Sequence, residues 1–129
     1  MIYQELVEKL LNLFHAAAQS DDEVHLIEVS YILEIIQKKL PEIFPELPDE
    51  YKNVIITQGL EYYKCLHQKD ISFEDSYGDF LKFYKNNRDK FSEDLRAFCI
   101  DTTISVLDSH AGINEQEAAF IHRLQSDFK

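Results

Sequence analysis

The residues of this chain whose types and spacing best suit chemistry fall in two short polar stretches. In the first, Asp21, Asp22, His25 and Glu28 bring carboxylates and one imidazole into a single short run, with Asp22, His25 and Glu28 spaced three apart. On a helix that spacing places side chains one turn apart on a shared face. The second stretch holds Asp108, His110 and Glu117. Oxygen donors leading into a helix suit a hard cation such as calcium, which takes roughly six to eight oxygens. If the fold brings the stretches together, the imidazoles shift the preference towards a transition metal. A divalent cation is therefore the one candidate cofactor, with Asp21, Asp22, His25, Glu28, Asp108, His110 and Glu117 as its candidate ligands. Capping and the helix dipole offer a plainer account of the same acids, because both favour negative charge at a helix start.

Other chemistries lack their signatures. A di-iron bundle needs Glu-x-x-His on two helices, and only Asp22-x-x-His25 approaches it. Cys99 has no base near it in sequence, and Ser105 or Ser109 with Asp108 and His110 lacks the glycine-flanked turn that exposes a nucleophilic hydroxyl. No glycine-rich phosphate loop is present. No catalytic residue is assigned, and a metal-dependent enzyme built on the acidic and histidine cluster remains the enzymatic alternative.

These residues must be positioned by a fold that the rest of the sequence describes. A length of 129 residues fits a single domain spanning 1–129. Twenty-four acidic residues against thirteen basic ones give a net charge of -11, a field that repels nucleic acid and anionic lipid and leaves a protein as the expected partner. Oligomeric state is left open by the sequence. The opening Met1-Ile2-Tyr3-Gln4-Glu5 lacks the basic region of a signal peptide, and no run reaches the roughly 18 apolar residues of a bilayer span, so the expected location is cytoplasmic. Cys65 and Cys99 lie in apolar-periodic segments and form no C-x-x-C pair, which predicts two buried free thiols.

Helical periodicity runs almost throughout, and the chain reads as all-α, a compact bundle of six to seven helices. The first helix carries Leu6, Leu10, Leu13, Phe14 and Ala17 inward, with Glu5, Glu8, Lys9 and Asn12 turned to water. The second, with Ile27, Tyr31, Leu33, Ile35, Ile36 and Leu40, has so wide an apolar face that it is expected to be central. Pro41, Pro45 and Pro48 break the chain into a connector that folds back over the core. Asp49 is the expected cap of a third helix running to about Gln68, with Tyr51, Val54, Ile55, Tyr62, Tyr63 and Leu66 inward and Gly59 marking either a close crossing or a helix boundary. Ser72 opens a fourth helix, Ser92 a fifth and Asn114 a sixth. Tyr62, Tyr63 and Tyr84 stand beside positions expected to be exposed and are candidate partner anchors, while His67 complements the dipole at a helix end.

At an offset of 89 the chain aligns with itself, Val24-His25-Leu26-Ile27-Glu28 against Ile113-Asn114-Glu115-Gln116-Glu117, an approximate internal two-fold repeat. In each copy a β-branched residue precedes a capping position, and a glutamate follows at the third helical position, where it can reach back to the cap amide. Asn114 is a good cap and His25 a poor one, and Ser20-Asp21-Asp22-Glu23 offers a competing start. These two units, Ser20-Asp21-Asp22-Glu23-Val24-x-x-x-Glu28 and Ser109-His110-Ala111-Gly112-Ile113-x-x-x-Glu117, resemble the TerB-like family associated with tellurite resistance. The first lacks the family's glycine, and the second carries histidine in place of its aspartate. The resemblance implies an all-α fold of two units, cations held at acidic turns through Asp21, Glu28 and Glu117, and a place in a stress-response or membrane-associated complex. The functional expectation is a non-enzymatic acidic binding or scaffold module, with a pure protein-interaction module as the alternative beside the enzyme.

Overall fold

The computed structural model describes residues 3–20, 24–69, 71–110 and 112–129. The helix α1 (Tyr3–Gln19) organises it. From Leu10 to Ala18 every residue of α1 is buried, so the helix is apolar nearly all round over its second half and must be enclosed by others. It is packed against α2 (Leu26–Lys38), α3 (Asp49–Gln68), α4 (Phe73–Asn86) and α5 (Glu93–Asp108), while α6 (Glu115–Asp127) packs on α5. Single-turn 3-10 helices at Leu40–Ile43 and Arg88–Lys90 complete the described elements, and no strand occurs among the described residues. The class is all-α.

The central helix is thus α1 and not α2, the reverse of the sequence expectation. Of α2 only Glu28, Ile32, Ile35 and Ile36 are buried, and Leu26 and Ile27 face solvent. Enclosing α1 also buries Asn12, expected at the surface, and its carboxamide oxygen accepts a 2.6 Å hydrogen bond from the Tyr62 hydroxyl of α3. A buried polar group must be paired in this way to avoid a cost of about 1–3 kcal/mol.

The proline-rich connector covers the core as expected. Leu40, Pro41 and Phe44 are buried, with Pro41 in the first turn of the 3-10 helix, where its missing N–H is not needed. Pro48, not Asp49, is the residue before α3, and Asp49 lies in the helix's first acidic turn. Ser72 and Ser92 cap α4 and α5 as expected, each side chain accepting the backbone N–H three residues on. Further on, α6 is clasped to α4. Arg123 grips Glu74 through two hydrogen bonds and lies over the Tyr77 ring, whose hydroxyl donates to Asp127 at 2.6 Å.

Several inward assignments change once α1 is central. Tyr51 and Val54 are exposed at 57% and 48%, whereas Tyr63 and Tyr84 are buried and Tyr62 is half-buried. Of the tyrosines offered as partner anchors, Tyr63 and Tyr84 are therefore core residues, and Tyr62 packs against the core. Cys99 is buried, but Cys65 is exposed.

Gly59 does mark a close crossing. A Cβ placed there would stand 3.2 Å from Ile36 Cγ2, tight enough to press on α2, and at ordinary contact distance, within 4 Å, of Val7 and Leu11 on α1. Gly78 of α4 is exposed and has nothing within 4 Å of an added Cβ. We expect Gly59→Leu to lower unfolding free energy by about 1–3 kcal/mol through overpacking. Gly78→Ala should raise it by about 0.5–1 kcal/mol through helix propensity. Denaturant titration of both variants checks the contrast, and equal effects would refute the close-crossing account.

Candidate functional site

The two polar stretches become the starts of α2 and α6, and the fold sets these corners side by side. At the first, α1 ends at Gln19 and the Ser20 hydroxyl donates to the Ala17 carbonyl, so the competing start at Ser20 is not used. The next helix begins at Leu26 after His25 in extended backbone, and the His25 N–H donates to Glu28 Oε1 at 3.1 Å. At the second corner, Gly112 takes φ 83°, a left-handed conformation that glycine reaches without a Cβ clash. Asn114 then caps α6: its side-chain oxygen accepts the Glu117 N–H at 2.9 Å, and its own N–H donates to Glu117 Oε1 at 3.0 Å. The glutamate that reaches back to the cap amide is common to both corners.

The corners meet through their histidines. The His25 and His110 rings are stacked, with centroids 3.6 Å apart and planes 12° from parallel. His25, His110 and the polar turns that carry them are thus brought together. Glu28 and Glu117 are 0% and 3% exposed, and each has one oxygen engaged at its own helix start. Asp108 is exposed at the end of α5. Asp21 and Asp22 lie outside the described residues. Among the described residues, no three His, Cys, Asp or Glu side chains form a group able to hold a metal ion.

Two of the nucleophile candidates, Ser109 and Cys99, are occupied or suppressed. The Ser109 hydroxyl donates to the Val106 carbonyl at 2.6 Å. Burial raises the pKa of the Cys99 thiol far above its ordinary value, which removes the thiolate that nucleophilic attack requires.

Behind the first corner lies a cluster that the sequence reading missed, with His15 and Tyr63 buried and His67 at its exposed edge. Tyr63 packs edge-on to His15 and stacks with His67, and burial, then the nearby Glu28 charge, raises the pKa of its hydroxyl. His67 therefore serves as a packing partner within this cluster, beyond its position in the last turn of α3. His15 is 2% exposed, and burial, followed by the charge of His67, lowers its pKa to about 4. The available signal was its position one residue after Phe14, in a run with no charged residue from Leu10 to Ala18.

Comparison of the chain with family models, with curated proteins and with solved structures finds no match.

Two outcomes follow from this geometry. A histidine whose pKa is near 6.5 unfolded and about 4 folded binds its proton preferentially in the unfolded chain as pH falls from 6.5 to 4. Stability should decline across that window, with His15 contributing up to about 3 kcal/mol of the loss. Unfolding free energies of wild type and His15→Leu across this range isolate the contribution, and parallel curves would refute it. At the second corner, Asn114→Ala should cost about 1 kcal/mol.

Proposed function

We propose that the chain is a non-enzymatic binding module that engages a protein partner across the paired corners. The observation that carries this reading is the exposure of large aliphatic side chains beside the stacked histidines. Leu26, next to His25, is 83% exposed, Ile27 is 51% exposed, and Ile113, three residues beyond His110, is 39% exposed. Aliphatic residues at a polar helix start contribute nothing to the core from these positions. Placed together with two imidazoles, they form the mixed apolar and polar surface that protein interfaces use.

The surplus of negative charge, -11 over the whole chain, favours a basic partner and accelerates its encounter. The resemblance of the two corners to TerB-like units supports the same class of role, a module working within a stress-response complex. A cation-dependent version of this reading draws on the contact between His25 and His110, with Asp108 two residues before the latter. Calorimetric titration with zinc, manganese and calcium tests it, and absence of binding heat for all three removes it.

The protein reading is tested by replacing Leu26 and Ile113 with aspartate, singly and together. With Leu26 83% exposed, its replacement should change stability by no more than about 0.5 kcal/mol, and that of Ile113, 39% exposed, by somewhat more. Proteins cross-linked to the wild-type chain in cells should be lost from the double variant, and retention of every one would refute the assignment.

A further inference from the structure

On the basis of the partner surface proposed above, we infer that the paired corners recognise a basic segment of the partner, with Asp108 and the His110 ring taking an arginine and Leu26, Ile27 and Ile113 taking its aliphatic neighbours. The charge of the chain is concentrated at these corners. Residues 20–33 and 97–122, which hold the corners and the adjoining turns of α2, α5 and α6, contain eight aspartates and glutamates and no lysine or arginine. The rest of the chain has sixteen acidic residues against thirteen basic ones, so most of the net charge of -11 belongs to the two segments. A one-signed field of this kind raises the local concentration of a cationic partner and disfavours an anionic one.

The cations of the neighbouring elements leave this excess in place. Past Lys9, α1 carries no lysine, arginine or acid. From α3 come Lys64 and Lys69, but Lys64 shares its groove with Glu61, and Lys69 precedes Asp70 in the chain. On α6, Arg123 is held by Glu74 of α4, and at the far end of α2, Lys38 is paired with Glu34. Counting also Lys39, whose ammonium donates to the Tyr31 hydroxyl of α2, one cation is set against three exposed carboxylates, those of Asp101, Asp108 and Glu115. Glu28 and Glu117, buried at their helix starts, add to the field without offering a surface contact.

Of these carboxylates, Asp108 is the one that the fold itself disfavours. It ends α5, where the negative helix end repels a carboxylate, and no basic residue occupies that last turn. Two residues on, His110 is exposed, although one face of its ring is covered by His25. A guanidinium is planar and weakly hydrated, so it can lie along an imidazole while donating in a fork to a carboxylate. The ammonium of lysine has neither the plane nor the fork. Leu26 and Ile27 on one corner and Ile113 on the other stand exposed on either side of the stacked rings, where aliphatic residues flanking the arginine reach them. Apolar contact and charge thus select the same occupant, a short segment in which arginine alternates with aliphatic side chains.

The test uses the full chain and the end-blocked peptide Leu-Arg-Leu-Arg-Leu, with lysine or glutamate in place of both arginines in two counterparts. Amide chemical-shift mapping should show saturable changes at Leu26, Ile27, His110 and Ile113 with the arginine peptide, at a dissociation constant below about 1 mM, and binding about threefold weaker with the lysine peptide. Asp108→Asn, altered only at an exposed side chain, should keep the melting temperature and weaken the arginine peptide by about tenfold. Absence of saturable changes with the arginine peptide, equal or tighter binding of the lysine or glutamate peptide, unchanged binding by Asp108→Asn, or shifts that require added calcium or zinc would each overturn the proposal. Loss of cross-linked proteins from the Leu26 and Ile113 double variant, together with no binding of the arginine peptide, overturns the basic segment alone and leaves the partner surface standing.

Discussion

The structure depends on enclosing one helix. With Leu10 to Ala18 buried without a break, α1 offers no face to water over that stretch, and a single neighbouring helix could cover only one side of it. Four helices therefore pack around it. The closeness of α3 follows from Gly59. Enclosure is also what makes the polar residues of α1 consequential. Asn12 receives the Tyr62 hydroxyl, and His15, held among Tyr63 and His67, remains neutral well below the pH at which a free imidazole takes up a proton.

The acidic residues serve two distinct roles. Glu28 and Glu117 are withdrawn from solvent and accept the amides of His25 and Asn114, where a carboxylate satisfies a donor that the helix cannot and sits at the positive end of the dipole. Most of the remaining acids are solvated and set the field around the protein. A carboxylate committed to its own helix start has one oxygen fewer to offer an ion. The surface presented by the corners is consequently defined by His25, His110, Leu26, Ile27 and Ile113 more than by the two glutamates.

Features governed by local chemistry were legible in the sequence. Ser72, Ser92 and Asn114 cap the helices they were expected to cap, because a side-chain oxygen three residues before an orphan N–H needs no knowledge of the rest of the fold. The glutamate that accepts the cap amide at each of the two helix starts was legible for the same reason, as was the proline connector. What failed was the choice of face. A helix with apolar residues on more than half its circumference has no unique inward direction until its neighbours are known. Tyr51 and Val54 on α3 were therefore set inward and are exposed, while Tyr63, which shares that helix, reaches His15. The same ignorance put Asn12 in water and Cys65 in the core. Contact between His25 and His110 was beyond reach, since 85 residues separate them and no periodicity encodes a long-range stack.

Enclosure of α1 also separates the two surfaces at its ends. The groove beside Tyr3 is walled by the connector and the start of α5, whereas the paired corners are formed where α1 and α5 finish and α2 and α6 begin. Substitutions farther apart than about 10 Å with no shared partner act additively. The groove at one end of α1 and the paired corners beyond its other end are therefore separate surfaces of one small bundle.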